Sequence, residues 1–414
     1  MVKNLRSWFI FSLANLAIVA LYGTMMRYKI GFEFPWLDQK FLLHAHSHFA
    51  FAGWITQTLM VLLVMDIREK ISEQRTNLYH KIFIANIICA YGMLISFTLQ
   101  GYGAVAITFS TLSILVSWLF AWKFSSDLRK KAPGHPSKNW YLASLAFNVL
   151  STLGTFALVY MMVTKSIQQN WYMASIYYYL HFQYNGWFFF ACMGFLWSKC
   201  VLKVPGIMLH KSIFRLLLLA CIPAYFLSVL WIRFPEWLYW VIVLSAAVQL
   251  IAWGNLLLVL RKHISVLKSG LSKFSSFLFF CVTITLSIKF LLQLFSTIPI
   301  MSKLAFGFRP IVIAYLHLVL LAVISLFLLA WLYSFRFIKI NGATTIGLAI
   351  FVAGIFLNEF VLMIQGIASF AYFPVPYVNE ILFFVAMVML IGGILLVISQ
   401  LKKSEDQLSS HVNI

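Results

Sequence analysis

Charge is the scarcest property of this sequence. Only 10% of the 414 residues are charged, and only 11 of them are acidic. A soluble globular domain carries roughly a quarter charged residues, so that class is excluded. The 31 Lys and Arg residues give a net charge of +20. They fall in short segments between apolar runs. No basic helix or mixed aromatic and basic patch is present for a nucleic acid to use, which excludes that partner. Cysteine is also sparse. Cys89, Cys192, Cys200, Cys221 and Cys281 lie scattered in apolar segments, and none forms a CxxC pair. A disulfide framework or thiolate metal site is therefore not expected, and packing is the default role. The first 26 residues have a basic start and an apolar run but no small-residue cleavage site before Arg27. They read as a first span and not as a removed signal peptide.

What fills the chain is hydrophobic, 62% of it. The apolar runs are long enough to cross a bilayer. They place spans at about 7–27, 42–66, 82–101, 104–124, 141–164, 173–198, 212–232, 237–260, 275–296, 310–335, 344–366 and 380–400. The expected fold is an all-α membrane protein of about twelve transmembrane helices. It forms one polytopic domain, with a short tail over 401–414. If the N-terminus is inside, 23 Lys and Arg lie on the inner side and seven on the outer, with Lys289 inside a span. The positive-inside bias then predicts a multi-pass protein of the cell's inner (plasma) membrane with both termini cytoplasmic.

Five histidines, His80, His135, His210, His263 and His411, belong to inner loops or the tail. The other five, His44, His46, His48, His181 and His317, lie within spans. Three of those, His48, His181 and His317, also mark a repeat. His48 and His181 each begin a His-Phe-x-x-x-Gly-Trp pattern, ending at Gly53-Trp54 and Gly186-Trp187. Tyr179-Leu180-His181 matches Tyr315-Leu316-His317. The separations are 133 and 136 residues, with four spans in each interval, and Gln100-Gly101 matches Gln365-Gly366 at twice that period. The expectation is three pseudo-repeated four-helix units, about 1–135, 136–270 and 271–400. Spans 2, 6 and 10 would then be equivalent, with their histidines at one depth.

An ionisable residue inside a span is costly and marks function by default. Neutral imidazole binds metals and haem iron. On a helix, His44 and His48 share one face while His46 points the other way. Span 2 can thus serve two centres, and ligands from separate helices are how bundles hold haem. The plainer alternative is that His181 and His317 only hydrogen-bond across helices. Lys289 and Glu359, the latter beside Asn358, are the other ionisable residues within spans. They either pair with each other or with backbone, or they serve a proton or cation path.

The pattern resembles catalytic subunit I of the haem-copper oxidase superfamily, which includes the nitric oxide reductases. That family has twelve helices in three arcs, with histidine ligands on helices 2, 6, 7 and 10. Leu43-His44-Ala45-His46 stands where the family has a low-spin haem ligand. His181 stands where it has a copper or non-haem metal ligand, and His317 where it has haem ligands. Gly23 and Arg27 are similar to the family's Gly and Arg in helix 1. The resemblance implies haem b held by His317 opposite His44 or His48, with Arg27 also at the cofactor. It implies a second, altered pocket for copper or another metal, lined by His46 and His181. Helix 7 has no His-His pair, span 10 has one histidine, and Phe-Gln-Tyr184 follows His181 where the family has His-Pro-Glu-Val-Tyr. The usual copper-site histidines are therefore incomplete, and no catalytic residue is assigned. The implied role is electron transfer or binding of O2 or NO, in the class of oxidoreductases related to the family. The implied partners are the lipid bilayer, other respiratory membrane subunits or an electron donor. A histidine-lined transporter or metal-handling protein without redox activity is the alternative, though no span reads as clearly broken. An accessory subunit with no site of its own is a third reading.

Overall fold

A bilayer offers no water to backbone groups, so apolar runs must close their hydrogen bonds internally as helices. The computed structural model describes residues 5–401. The tail beyond Leu401, with His411, lies outside them. The described residues contain helices and connecting turns with no strand. Ten helices are long and apolar enough to cross a membrane. These are α1 (Ser7–Gly31), α2 (Gln39–Asp66), α3 (Glu73–Gln100), α4 (Ala104–Lys131), α5 (Lys138–Val163), α8 (Glu236–Lys262), α9 (Lys273–Phe295), α10 (Arg309–Ser334), α11 (Gly342–Phe370) and α12 (Val378–Leu401). The pair Lys211–Cys221 and Pro223–Val229, here α7, would make eleven if it is one span bent by 43°. Pro223 lacks the N–H that a continuous helix needs, which accounts for the break. This corrects the expectation that no span is broken. Residues 169–203 form one further helical rod, α6. Its middle is rich in Tyr, His, Gln and Asn, and it is not among the ten.

α12 runs antiparallel to α1, with Gly31 against Asn379 and Ala17 against Gly393. Ser7 and Leu401 therefore share one end of the bundle, the termini face. Several helix starts are capped by a short polar side chain. Asp38 accepts from the backbone of Lys40 and Phe41, and Ser72 accepts from that of Arg75. Near the termini face Asp127 is buried, and Arg75 grips both of its oxygens at 2.6 and 2.8 Å.

Three helices carry a π-helical stretch, and each begins within two residues of a repeat histidine. They span Ala50–Thr56 in α2, Phe182–Phe188 in α6 and Leu318–Ser325 in α10. Such a stretch widens the helix and disturbs its usual bonding, and it occurs often at functional sites. In α2 the strain on the carbonyls is met by side chains from neighbouring helices. Asn15 of α1 donates to the Gly53 carbonyl at 2.6 Å, and Asn86 of α3 donates to that of Ala52 at 3.0 Å. Tyr91 completes Asn15 at 2.9 Å. In α10 the Ser325 hydroxyl donates to the Leu320 carbonyl at 2.8 Å.

The three stretches also hold one another. Trp54 donates from its indole to Ser325 at 2.9 Å, and Trp187 donates to Thr56 at 3.4 Å. Each tryptophan lies six residues past its histidine, and each hydroxyl eight past. At the third pair of corresponding positions stand Val323 and Phe189, both apolar and buried.

Gly186 allows α6 to approach α5. A Cβ there would meet the Phe147 Cβ at 2.5 Å, an atom that cannot swing aside. Gly186→Ala should therefore cost about 1–3 kcal/mol through overpacking. Its melting midpoint in detergent should fall, while Gly134→Ala, with nothing within 4 Å of the added Cβ, should match the parent. Equal midpoints for the two variants would refute the close approach.

Candidate functional site

Periodicity on α2 sorts its three histidines. His46 points to α1, where its Nδ1 lies 3.1 Å from the Val19 carbonyl. A Cβ at Gly23 would sit 3.4 Å from the His46 Cε1, so glycine leaves room for the ring. Val19, Gly23 and Arg27 follow at four-residue steps and so lie along one face of α1. His46 lies within electrostatic range of both Arg27 and His317. Arg27 is in range of His317 as well. These three residues, from α1, α2 and α10, form one constellation.

His317 is built in the same way as His46. Its Nδ1 lies 2.9 Å from the Ile313 carbonyl one turn earlier. A carbonyl can only accept, so in both rings Nδ1 carries the proton and Nε2 keeps its lone pair. Neither Nε2 makes a hydrogen bond among the described residues, and both rings are half-buried. α2 and α10 meet further along, where Trp54 bonds Ser325 at 2.9 Å. Arg27 forms no ion pair among the described residues. The arrangement offers two basic nitrogens from facing helices, with an unpaired cation beside them.

His44 and His48 are placed elsewhere. Their rings face Phe97 of α3 and Tyr102 in the turn after it. The pairing of His317 with His44 or His48 is thus not what the fold brings together; His46, on the opposite face of α2, is the α2 imidazole beside His317. His46 also does not share a pocket with His181. His181 is fully buried, and both of its nitrogens are spent on protein. Its Nε2 donates to the Cys221 carbonyl at 2.9 Å, and Asn185 Nδ2 lies 3.1 Å from its Nδ1. That is the role of a cross-helix hydrogen bonder, and it does not fit a metal ligand. No group of three or more His, Cys, Asp or Glu suited to a metal occurs among the described residues.

Lys289 is 3% exposed and lies over the ring of Phe290 at 4.2 Å, with Phe189 at 5.7 Å. It does not pair with Glu359, whose Oε1 accepts from Asn358 at 3.1 Å. His135 bonds Asp66 at 3.2 Å, so it is anchored and not a free loop residue. Asn15 and Asn86 were not singled out by the sequence reading, yet they support the π-helical stretch behind His48. An amide inside an otherwise apolar run was the signal for both.

No protein-family model matches the chain, and no curated protein matches it at a significant level.

Proposed function

We propose that the chain is a multi-pass membrane protein whose His46 and His317 would hold haem b between α2 and α10. One observation carries this reading. Each ring commits Nδ1–H to a backbone carbonyl, and neither Nε2 makes a hydrogen bond among the described residues, on two helices whose imidazoles lie within electrostatic range of each other. A carbonyl partner fixes the tautomer and raises the basicity of the other nitrogen. Arg27, within electrostatic range of both rings and in no ion pair among the described residues, suits the carboxylates of haem propionates. When bound, haem supplies one-electron chemistry or a site for O2 or NO. The residues around it hold, orient and neutralise.

In this reading the chain is a divergent relative of haem-copper oxidase subunit I. It crosses the membrane twelve times in three four-helix units, with both termini cytoplasmic in a plasma membrane. Three things support the repeat. They are the histidine spacing, the π-helical stretch after each histidine, and the two tryptophan-to-hydroxyl bonds that repeat one register. His181 serves packing here, so the reading includes no copper centre at that residue. Electron donors or other respiratory subunits are the partners that this role calls for. A transport role is the second reading, favoured by the break in α7, since interrupted helices line transporter sites.

The test is the pigment of the purified protein. Expression with ample haem should give a Soret band and a reduced-minus-oxidised difference spectrum of a low-spin b-type haem. Protein that carries metal but no porphyrin would select the transport reading, and protein with neither would end both.

A further inference from the structure

We propose that His44, His48 and Tyr102 form a second site, separate from His46 and His317, that binds one divalent first-row transition metal ion, copper most tightly. It lies at the end of the bundle away from the termini face. His44 and His48 are four residues apart, which puts two imidazoles side by side on one helix face. Tyr102 closes over them from the turn after α3. Its ring is 4.5 Å from that of His44, and its hydroxyl is 3.1 Å from the Nε2 of His48.

Three features make this a held site. His48 is stacked on Phe97 at 4.4 Å, which fixes its ring. Tyr102 is set by a turn in which Gly101 has φ +58, a conformation that L side chains rarely adopt. The ring of His44 makes no hydrogen bond among the described residues, and it is half-buried. Tyr102 is 49% exposed, so the site is open at the protein surface.

The spacing suits coordination. Two ligands each about 2.0 Å from an ion, at roughly a right angle, stand about 3 Å apart. The 3.1 Å between the His48 Nε2 and the Tyr102 oxygen matches that span. Two imidazoles, a phenol oxygen and water form an N,O set, and N,O sites favour Cu2+ along the first-row series. On binding, any proton on a ligand nitrogen or on the phenol passes to solvent, so affinity falls in acid.

The proposal does not depend on haem at His46 and His317, and the experiment keeps the two apart. Full-length protein in detergent is titrated with Cu2+ against a competing chelator, and the bound ion is read by electron paramagnetic resonance. One equivalent should bind, with hyperfine splitting from two nitrogens. His44→Ala and His44→Gln should each lose binding, as should His48→Ala. Tyr102→Phe should weaken it by about 10-fold or more. His210→Ala, at an exposed position, should bind as the parent does. Size-exclusion profiles identify which variants are folded, and the Gln variant keeps a polar group where Ala does not. Haem content, measured in parallel, should not change with His44. Parent-like Cu2+ binding in any folded His44 or His48 variant would overturn the site, as would a signal from a single nitrogen.

Discussion

Alanine at His46 should remove the low-spin haem spectrum, and alanine at His44 should leave it in place. The three histidines of α2 differ little in sequence surroundings, so the contrast rests on geometry alone. His46 alone among them faces α1 and lies within range of His317 and Arg27. Loss of an outer partner of a ligand commonly costs 10- to 100-fold in affinity, so loss of a ligand should reduce haem content by at least about 10-fold. His317→Ala should match His46→Ala. His210→Ala is the control for general damage, and a better one than His135→Ala, because His135 is bonded to Asp66. Haem is counted by the pyridine haemochrome assay on monodisperse fractions. Equal loss in the His44 and His46 variants would mean that α2 had misfolded or that the wrong face had been chosen.

Lys289→Met should raise the melting midpoint. Lys289 is buried against aromatic faces and makes no ion pair among the described residues. A desolvated cation–π contact returns about 2 kcal/mol. Burying an ion costs several kcal/mol, so the balance is unfavourable. Methionine has a similar length and volume and no charge to desolvate. Replacing buried ionic groups with well-packed apolar ones often gains about 1–4 kcal/mol, and a gain in that range is expected here. A charge kept in the membrane at such a cost marks a function, so the same variant should lose whatever process uses the amine. Thermal melts followed by intrinsic fluorescence read the first effect. A midpoint equal to or below the parent's would show that Lys289 has partners that offset its burial.

The long apolar runs were legible because a bilayer demands about 20 of them in a row. The opposition of His46 to His44 and His48 was legible from helical periodicity. Which face meets α10 was not, because one helix's period carries no information about its neighbours' order. His181 was read as a metal ligand, yet its partners, Asn185 one turn away and the Cys221 carbonyl of α7, spend both nitrogens. The first partner lies in the sequence as a short-range spacing; the second depends on packing. The break in α7 had a signal in Pro223 that the apolar run around it concealed. The π-helical stretches in α2 and α6 coincide with the shared His-Phe-x-x-x-Gly-Trp pattern, which does not itself name the conformation. In α2 a further trace was Asn15 and Asn86, polar side chains that bond carbonyls of the stretch.

Axial ligation is the property on which the account turns. Electron paramagnetic resonance of the oxidised, purified protein reads it directly. Two imidazoles on one iron give a low-spin ferric signal that disappears in both His46→Ala and His317→Ala. A high-spin signal in the parent protein, or a low-spin signal that survives either substitution, would contradict ligation by that pair.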